Sequence, residues 1–209
     1  MVVRTNLYRA IASIFHPQDA GFSAGIELDI ALMRGDLNFE EAIHARVALL
    51  EGLDVGVLER CYAERVQLTE GAEPMVRGMR ARGARTALVS GGFTFFSERV
   101  AKTAGFQSHQ ANTLELRDGK LTGRVIEPVL GQAAKAQALE ALCEERNVGP
   151  DQVLAIGDGA NDLAMVRAAG LGVGFRPKPA LAAGADAVLE HSDLTAVLAL
   201  QGLQPGGAD

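Results

Sequence analysis

The chain has 209 residues, 48% hydrophobic and 22% charged, with a formal net charge of −6 at pH 7. That is the composition of an ordinary globular protein long enough to bury a core. The acidic balance excludes a general affinity for nucleic acid or for an anionic membrane surface, which needs a basic patch, and no apolar run approaches the roughly 18 residues of a membrane span.

The first 25 residues carry the least pattern: a short helix to Phe15, then a turn at His16-Pro17. They have no continuous apolar run of the kind a signal peptide requires. From Ile26 the pattern sharpens. Residues 39–51 place Phe39, Ile43, Val47 and Leu50 on one helical face. A second helix is expected over 55–67, and Pro74 suits the first turn of a third that ends near Gly83. Residues 86–90 form a short apolar strand that stops at a Ser90-Gly91-Gly92 turn, and 95–105 form a helix ending at a glycine. Residues 111–127 alternate about Asp118-Gly119, the signature of a hairpin. A helix follows over about 133–146. The apolar strand Val153–Ile156 then runs into a glycine turn at Gly157. The remainder alternates helix and strand to Leu200.

Strands alternating with helices predict an α/β fold with a doubly wound parallel sheet. The all-helical stretch 26–70 reads as a small cap beside an α/β core over 71–203. Residues 1–25 stand as an unmatched segment and 204–209 as a flexible tail. Ligands of such sheets bind beyond the carboxyl ends of the strands, where both glycine turns fall. Two cysteines, Cys61 and Cys143, lack metal-type spacing and read as reduced thiols of a cytoplasmic protein.

Several residues at those strand ends could carry chemistry. Asp158 and Asp162 lie in a glycine-rich turn between strand and helix. Carboxylates there either ligate Mg²⁺, which takes oxygen donors, or cap the helix that follows. The Ser90 hydroxyl and the amides of Gly91 and Gly92 form either an anion cradle or a plain tight turn. Lys135, near a helix start, either neutralises an anionic ligand or is an exposed surface lysine. Arg46 shares its helical face with Phe39, Ile43 and Leu50, so its guanidinium either snorkels to water or pairs with an anion. The histidines form no ligand spacing, and Met33 reads as packing.

Four stretches together resemble the phosphoserine phosphatases of the haloacid dehalogenase superfamily, over about Ile26 to Leu200. They are MRGDLNFEEAIHARVALLEGL at 33–53, ALVSGGFTFF at 87–96, the segment around Lys135, and AIGDGANDLAMVRAAGLGVGF at 155–175. The resemblance implies a HAD-like Rossmannoid core with a helical cap, and Mg²⁺-dependent hydrolysis of phosphoserine, a small-molecule substrate, in serine biosynthesis. It implies that Ser90, Gly91 and Gly92 bind the phosphoryl group and that Lys135 stabilises its charge. By the same resemblance Asp158 holds the metal with Asp162 in support, and Asn161 lies near the substrate. Arg46 then meets the substrate carboxylate, with Met33 and Phe39 closing the pocket.

One part of the family pattern is absent. The family opens its core with a strand ending in Asp-x-Asp-x-Thr, whose aspartates act as nucleophile and as acid/base. Spacing from Met33 places that motif at residues 1–5, which read Met-Val-Val-Arg-Thr. Only Thr5 fits, and the family's substrate-binding glutamate falls near Ala10. Glu27 and Asp29 follow no apolar strand and do not replace the motif. The first core strand is therefore expected to be missing and turnover to be absent or impaired. A shifted reading frame, a degenerate homologue and a strand supplied by another chain all remain open. So do a non-catalytic phosphate- or phosphoserine-binding role and a phosphatase for another small phosphomonoester.

Overall fold

The computed structural model describes residues 38–131 and 133–203. The readings for Met33, for segment 1–25 with its missing motif and strand, and for the tail at 204–209 lie outside the described residues.

The described chain opens with α1 (Phe39–Ala48) and α2 (Gly56–Arg65). Asn38 starts α1 with a reciprocal cap: its Oδ1 accepts from Glu41 N at 2.9 Å and its own N–H donates to Glu41 Oε2 at 2.8 Å. Helix α3 (Ala72–Ala81) leads into β1 (Ala87–Phe93), followed by α4 (Thr94–Ala104). Strands β2 (Ser108–Arg117) and β3 (Lys120–Ile126) form the expected hairpin. Its two-residue turn has positive φ at both Asp118 (51°) and Gly119 (76°), which matches the twist of the paired strands. Helix α5 (Ala134–Arg146), β4 (Leu154–Gly157), α6 (Leu163–Ala168), β5 (Leu171–Phe175), α7 (Pro179–Ala182), β6 (Ala187–Leu189) and α8 (Ala196–Leu200) complete the chain.

The α/β architecture is the expected one, with a difference in the sheet. Among the described residues the strands form two sheets of three, ordered β1-β2-β3 and β4-β5-β6, with no strand joining them. Strands β4, β5 and β6 are parallel, as are β1 and β2, while β3 returns antiparallel on β2. A second difference concerns Ser90-Gly91-Gly92, read from sequence as a turn. Strand β1 continues through it to Phe93, with its register on β2 slipping between Val89 and Phe93. Two glycines in succession let the backbone bulge without displacing a side chain.

Three apolar clusters hold these layers. Ile43, Val47 and Leu50 from the α1 segment and Leu58 and Cys61 from α2 pack onto Leu114, Leu121 and Val125 of the hairpin. The two leading helices therefore rest on β2 and β3. Arg99 of α4 ties α2 to the main body: its guanidinium lies 2.6 Å from Glu59 and 3.7 Å from the Phe95 ring centre. Strand β4 is covered on both faces by period-2 alternation. Leu154 and Ile156 meet the cluster of Met75, Val76 and Val197 from α3 and α8. Ala155 faces Leu139, Cys143 and Val166 of α5 and α6. Cys61 and Cys143 are buried free thiols, and burial pushes the Cys61 pKa up to about 11, so it stays protonated at neutral pH. Among the described residues no helix is long and apolar enough to cross a membrane.

Gly71, immediately before α3, has φ +80°, and a Cβ there would lie 2.7 Å from Thr195 N and 2.8 Å from Leu194 N. Gly71→Ala should therefore cost about 3 kcal/mol and lower Tm by about 6 °C. Gly83→Ala, at φ +81° with nothing within 4 Å, should cost only about 1 kcal/mol. Thermal unfolding of the two variants side by side checks both figures.

Candidate active site

The carboxyl ends of β1 and β4 converge. Val89, Ser90 and Gly91 of β1 line a small pocket together with Lys135 of α5 and Asn161 of the turn after β4. Phe39 of α1 closes it, its ring resting against Gly91: a Cβ on that glycine would meet Phe39 Cζ at 3.0 Å. Two strand ends thus bring together a hydroxyl, a cation, an amide and backbone with no side chain in the way. In this state the pocket holds about 10 Å³, roughly the space of one water.

Asp162 organises the centre. It is 3% exposed, and it satisfies its charge on three sides. One oxygen pairs with the Lys135 ammonium, and the other accepts the N–H of Asp158 at 2.9 Å and of Gly159 at 3.1 Å. Burial pushes the Asp162 pKa upward, but the Lys135 charge and the donated N–H groups outweigh it and hold the carboxyl below its ordinary value of 3.8. Lys135 is 16% exposed, so this is a sheltered ion pair rather than a surface one. Asp158 behaves oppositely. Burial, with the neighbouring Asp162 charge adding to it, raises its pKa. The Asp158 carbonyl accepts the Lys178 N–H at 2.8 Å, which fixes the turn from behind.

Two carboxylates and one ammonium leave the centre one negative charge in excess. Oxygen donors with an unbalanced charge suit Mg²⁺, which is commonly held by one or two carboxylates and completes its shell with water and phosphate. The residues present fit such an ion with Asp158 as the more available ligand, because both oxygens of Asp162 already accept hydrogen bonds. No group of three or more His, Cys, Asp or Glu side chains gathers among the described residues.

The structure brings Ser90, Gly91, Lys135, Asn161, Asp158, Asp162 and Phe39 to one end of the strands. Gly92 lies just behind, its N–H donating to Ser90 Oγ at 3.0 Å. Arg46 sits two turns along α1 from Phe39, half-buried, and does not line this pocket. One residue went unnoticed in the sequence. Asn112 of β2 is 1% exposed; its amide donates to Gly91 O at 3.1 Å, and its Oδ1 accepts Leu130 N–H at 2.7 Å. It therefore clamps the bulged strand to the loop on the far side of the pocket. The only hint was a polar residue at an inward position of an alternating strand.

Asn112→Leu keeps the volume but strands a buried carbonyl and a buried N–H, and should cost about 1–3 kcal/mol; urea unfolding measures it. The Asp162 carboxylate, with its lowered pKa, contributes stability that is present above the ordinary value and lost as pH falls through the folded one. Asp158, with its raised pKa, contributes in the other direction, losing stability as pH rises through its folded value. Asp162→Asn should therefore lower stability at pH 7 by on the order of 3 kcal/mol. It should also flatten the loss of stability below about pH 4. Unfolding curves of both proteins at a series of pH values would show this, and parallel acid limbs would contradict it.

Comparison with known proteins bears on the chain as a whole. The family model of haloacid dehalogenase-like hydrolases matches residues 5–167. A phosphoserine phosphatase of Streptomyces coelicolor is 45% identical over 177 residues, 85% of this chain and 43% of that protein. One from Archaeoglobus fulgidus is 41% identical over 78% of this chain and 47% of its own length. The chain thus spans about half the length of these relatives. A phosphoserine phosphatase of Idiomarina loihiensis is 40% identical over 80% of this chain and 76% of its own. Among solved structures, a phospho-aspartyl intermediate analogue of phosphoserine phosphatase superposes with TM-score 0.83 at 32% identity, covering 97% of this chain and 94% of that one. With the family model matching most of its length and these relatives about 40% identical or more, the chain belongs to the haloacid dehalogenase-like hydrolase family.

Proposed function

We propose that this chain carries the binding and charge-stabilising half of a phosphoserine phosphatase site, and that by itself it turns phosphoserine over slowly or not at all. The observation that supports the first part is the convergence of Ser90, the Gly91 backbone and Lys135 on one pocket beside Asp158. The Ser90 hydroxyl and the Gly91 amide supply donors to phosphoryl oxygens, and the Gly92 N–H, donating to Ser90 Oγ, holds that hydroxyl in place. Lys135, held in place by Asp162, offsets negative charge at the same point. Asp158 is the main ligand for Mg²⁺, with Asp162 setting the turn that aims it. The bound ion supplies charge neutralisation of the phosphoryl group. Asn161 lines the mouth, and Phe39 closes over the ligand after entry. Arg46 reads the substrate carboxylate if α1 shifts with Phe39, since both lie on one face of that helix.

The second part rests on sequence. The spacing from Met33 puts the nucleophile and acid/base positions at residues 1–5, and these contain no aspartate. Positioning and electrostatics without a nucleophile leave a site that binds but does not form a covalent intermediate. Serine biosynthesis in the cytoplasm is the setting this reading implies.

The test is phosphate release from phosphoserine with Mg²⁺, run beside thermal unfolding with the same ligand. We expect no release above the Asp158→Ala control. Phosphoserine at about 100 times Kd should stabilise the chain by about 2.7 kcal/mol, and Lys135→Ala should abolish that gain. Release that disappears in the control would show that another carboxylate serves as nucleophile. An unchanged Tm at millimolar phosphoserine would remove the binding claim.

A further inference from the structure

Ser90 Oγ accepts the Gly92 N–H at 3.0 Å, its one hydrogen bond among the described residues. A hydroxyl oxygen that already receives a donor from the protein side keeps its own O–H for the pocket. That N–H belongs to the peptide unit between Gly91 and Gly92. In a trans peptide the C=O points away from the N–H, so Gly91 O faces the opposite side. There it accepts the Asn112 amide at 3.1 Å. Ser90 and Asn112 thus hold the two ends of one peptide plane.

The plane needs holding. Neither residue that flanks it carries a side chain, and glycine lets a peptide unit turn over without a Cβ clash. A side chain at Gly91 is not available to stiffen it, because a Cβ there would meet Phe39 Cζ at 3.0 Å. The strand ladder is interrupted at the same place: Val89 pairs with Gln110 and Phe93 with Asn112, and the register slips between them. Turned over, the unit would present Gly91 C=O to Ser90 Oγ. The hydroxyl would then donate to that carbonyl, and the pocket would lose a donor. Asn112 itself has one orientation. Its Oδ1 accepts the Leu130 N–H at 2.7 Å, which leaves only its NH₂ to face Gly91 O. At 1% exposure neither bond competes with water.

We propose that Asn112 is a positioning residue for anion binding: it locks the Gly91–Gly92 peptide plane so that Ser90 offers its O–H to a phosphoryl oxygen. The proposal rests on the reading of Ser90 as a phosphoryl donor.

The probe is sulfate, a tetrahedral dianion whose charge does not change near neutral pH. Its Kd for the full 209-residue chain is measured by calorimetry, and exchange of the Gly92 amide by NMR. Asn112→Asp keeps the acceptor for Leu130 but turns the donor facing Gly91 O into a second acceptor. At about pH 8 it should bind sulfate about tenfold more weakly than the parent, with Gly92 exchanging about tenfold faster. Burial raises the pKa of the introduced carboxyl, so at about pH 5.5 it takes up a proton and donates to Gly91 O again; both deficits should then shrink to about twofold. Strand β1 brings no charged residue to this place. The 127–131 loop brings Glu127, which meets His44 of α1 at 3.3 Å; α1 also brings Glu40, against Gly131, and α5 brings Lys135. The parent, titrated in parallel, subtracts what these contribute. In a Ser90→Ala background Asn112→Asp should change sulfate affinity by less than about twofold, because its effect runs through that hydroxyl. Gly71→Ala, a destabilising change away from the pocket, should leave sulfate affinity unaltered. If Asn112→Asp does not fold, Asn112→Ser, which adds no charge, should show both deficits at either pH. Unchanged Gly92 exchange, full additivity with Ser90→Ala, or an equal loss of affinity in Gly71→Ala would reduce Asn112 to a structural clamp and overturn the proposal. A parent that binds no sulfate would sink the phosphoryl reading and this proposal with it, whereas a parent that binds and an Asn112 variant that binds equally well would sink the proposal alone.

Discussion

Asp162 is a charge placed where water barely reaches, and the centre of the molecule is arranged around satisfying it. An isolated carboxylate at that depth would protonate or expel its surroundings. It stays ionised because Lys135 arrives from α5 and two N–H groups arrive from the glycine turn at 158–159. One side chain thus fastens a helix from before β4 to the loop after it. Glycine at 157 is part of the same constraint: a Cβ there would lie 2.3 Å from Asp162 Cβ. The turn is compact because the carboxylate has to reach back to its own backbone.

The consequence is a separation of roles between two carboxylates four residues apart. Asp162 spends its lone pairs inside the protein and acts through position. Asp158 has a raised pKa, which means that the folded chain does not fully compensate its charge. Such a group is held ready for a cation. Asn112 plays the matching part on the β1 side, where a bulged strand with two glycines has no side chain to hold itself. A buried amide spanning Gly91 O and Leu130 N supplies what the glycines lack.

The two sheets meet at the same centre. Among the described residues β1 pairs with β2, and β4 with β5. Ser90 from the one sheet, Lys135 from α5 and Asn161 from the turn after β4 line one pocket, so the ion pair and the β1 bulge act at a single place.

Much of this was legible in the chain itself, and the reasons differ by element. The hairpin at Asp118-Gly119 was readable because positive φ at two adjacent residues is a local demand that few sequences meet. Helices α1 to α5 were readable because burial on one face imposes a 3.6-residue period. The end of β4 at Gly157 was readable because the apolar run stops there at a glycine-rich turn. Asn112 was not, since its importance comes from a carbonyl 21 residues earlier in the chain. Nor was the path of β1 through Ser90-Gly91-Gly92: two glycines permit a turn or a bulge equally, and pairing with β2 made the choice. By itself, then, the sequence determined which segments are helix and strand and which residue types wait at their ends, because those follow from local backbone preference and periodicity. Only the tertiary structure decided that Asp162 is fully buried while Asp158 is half-buried, that Arg46 does not line the pocket beside Phe39, and that the ends of β1 and β4 come together. Those outcomes depend on which distant groups come within a few ångströms, and no local pattern encodes that distance.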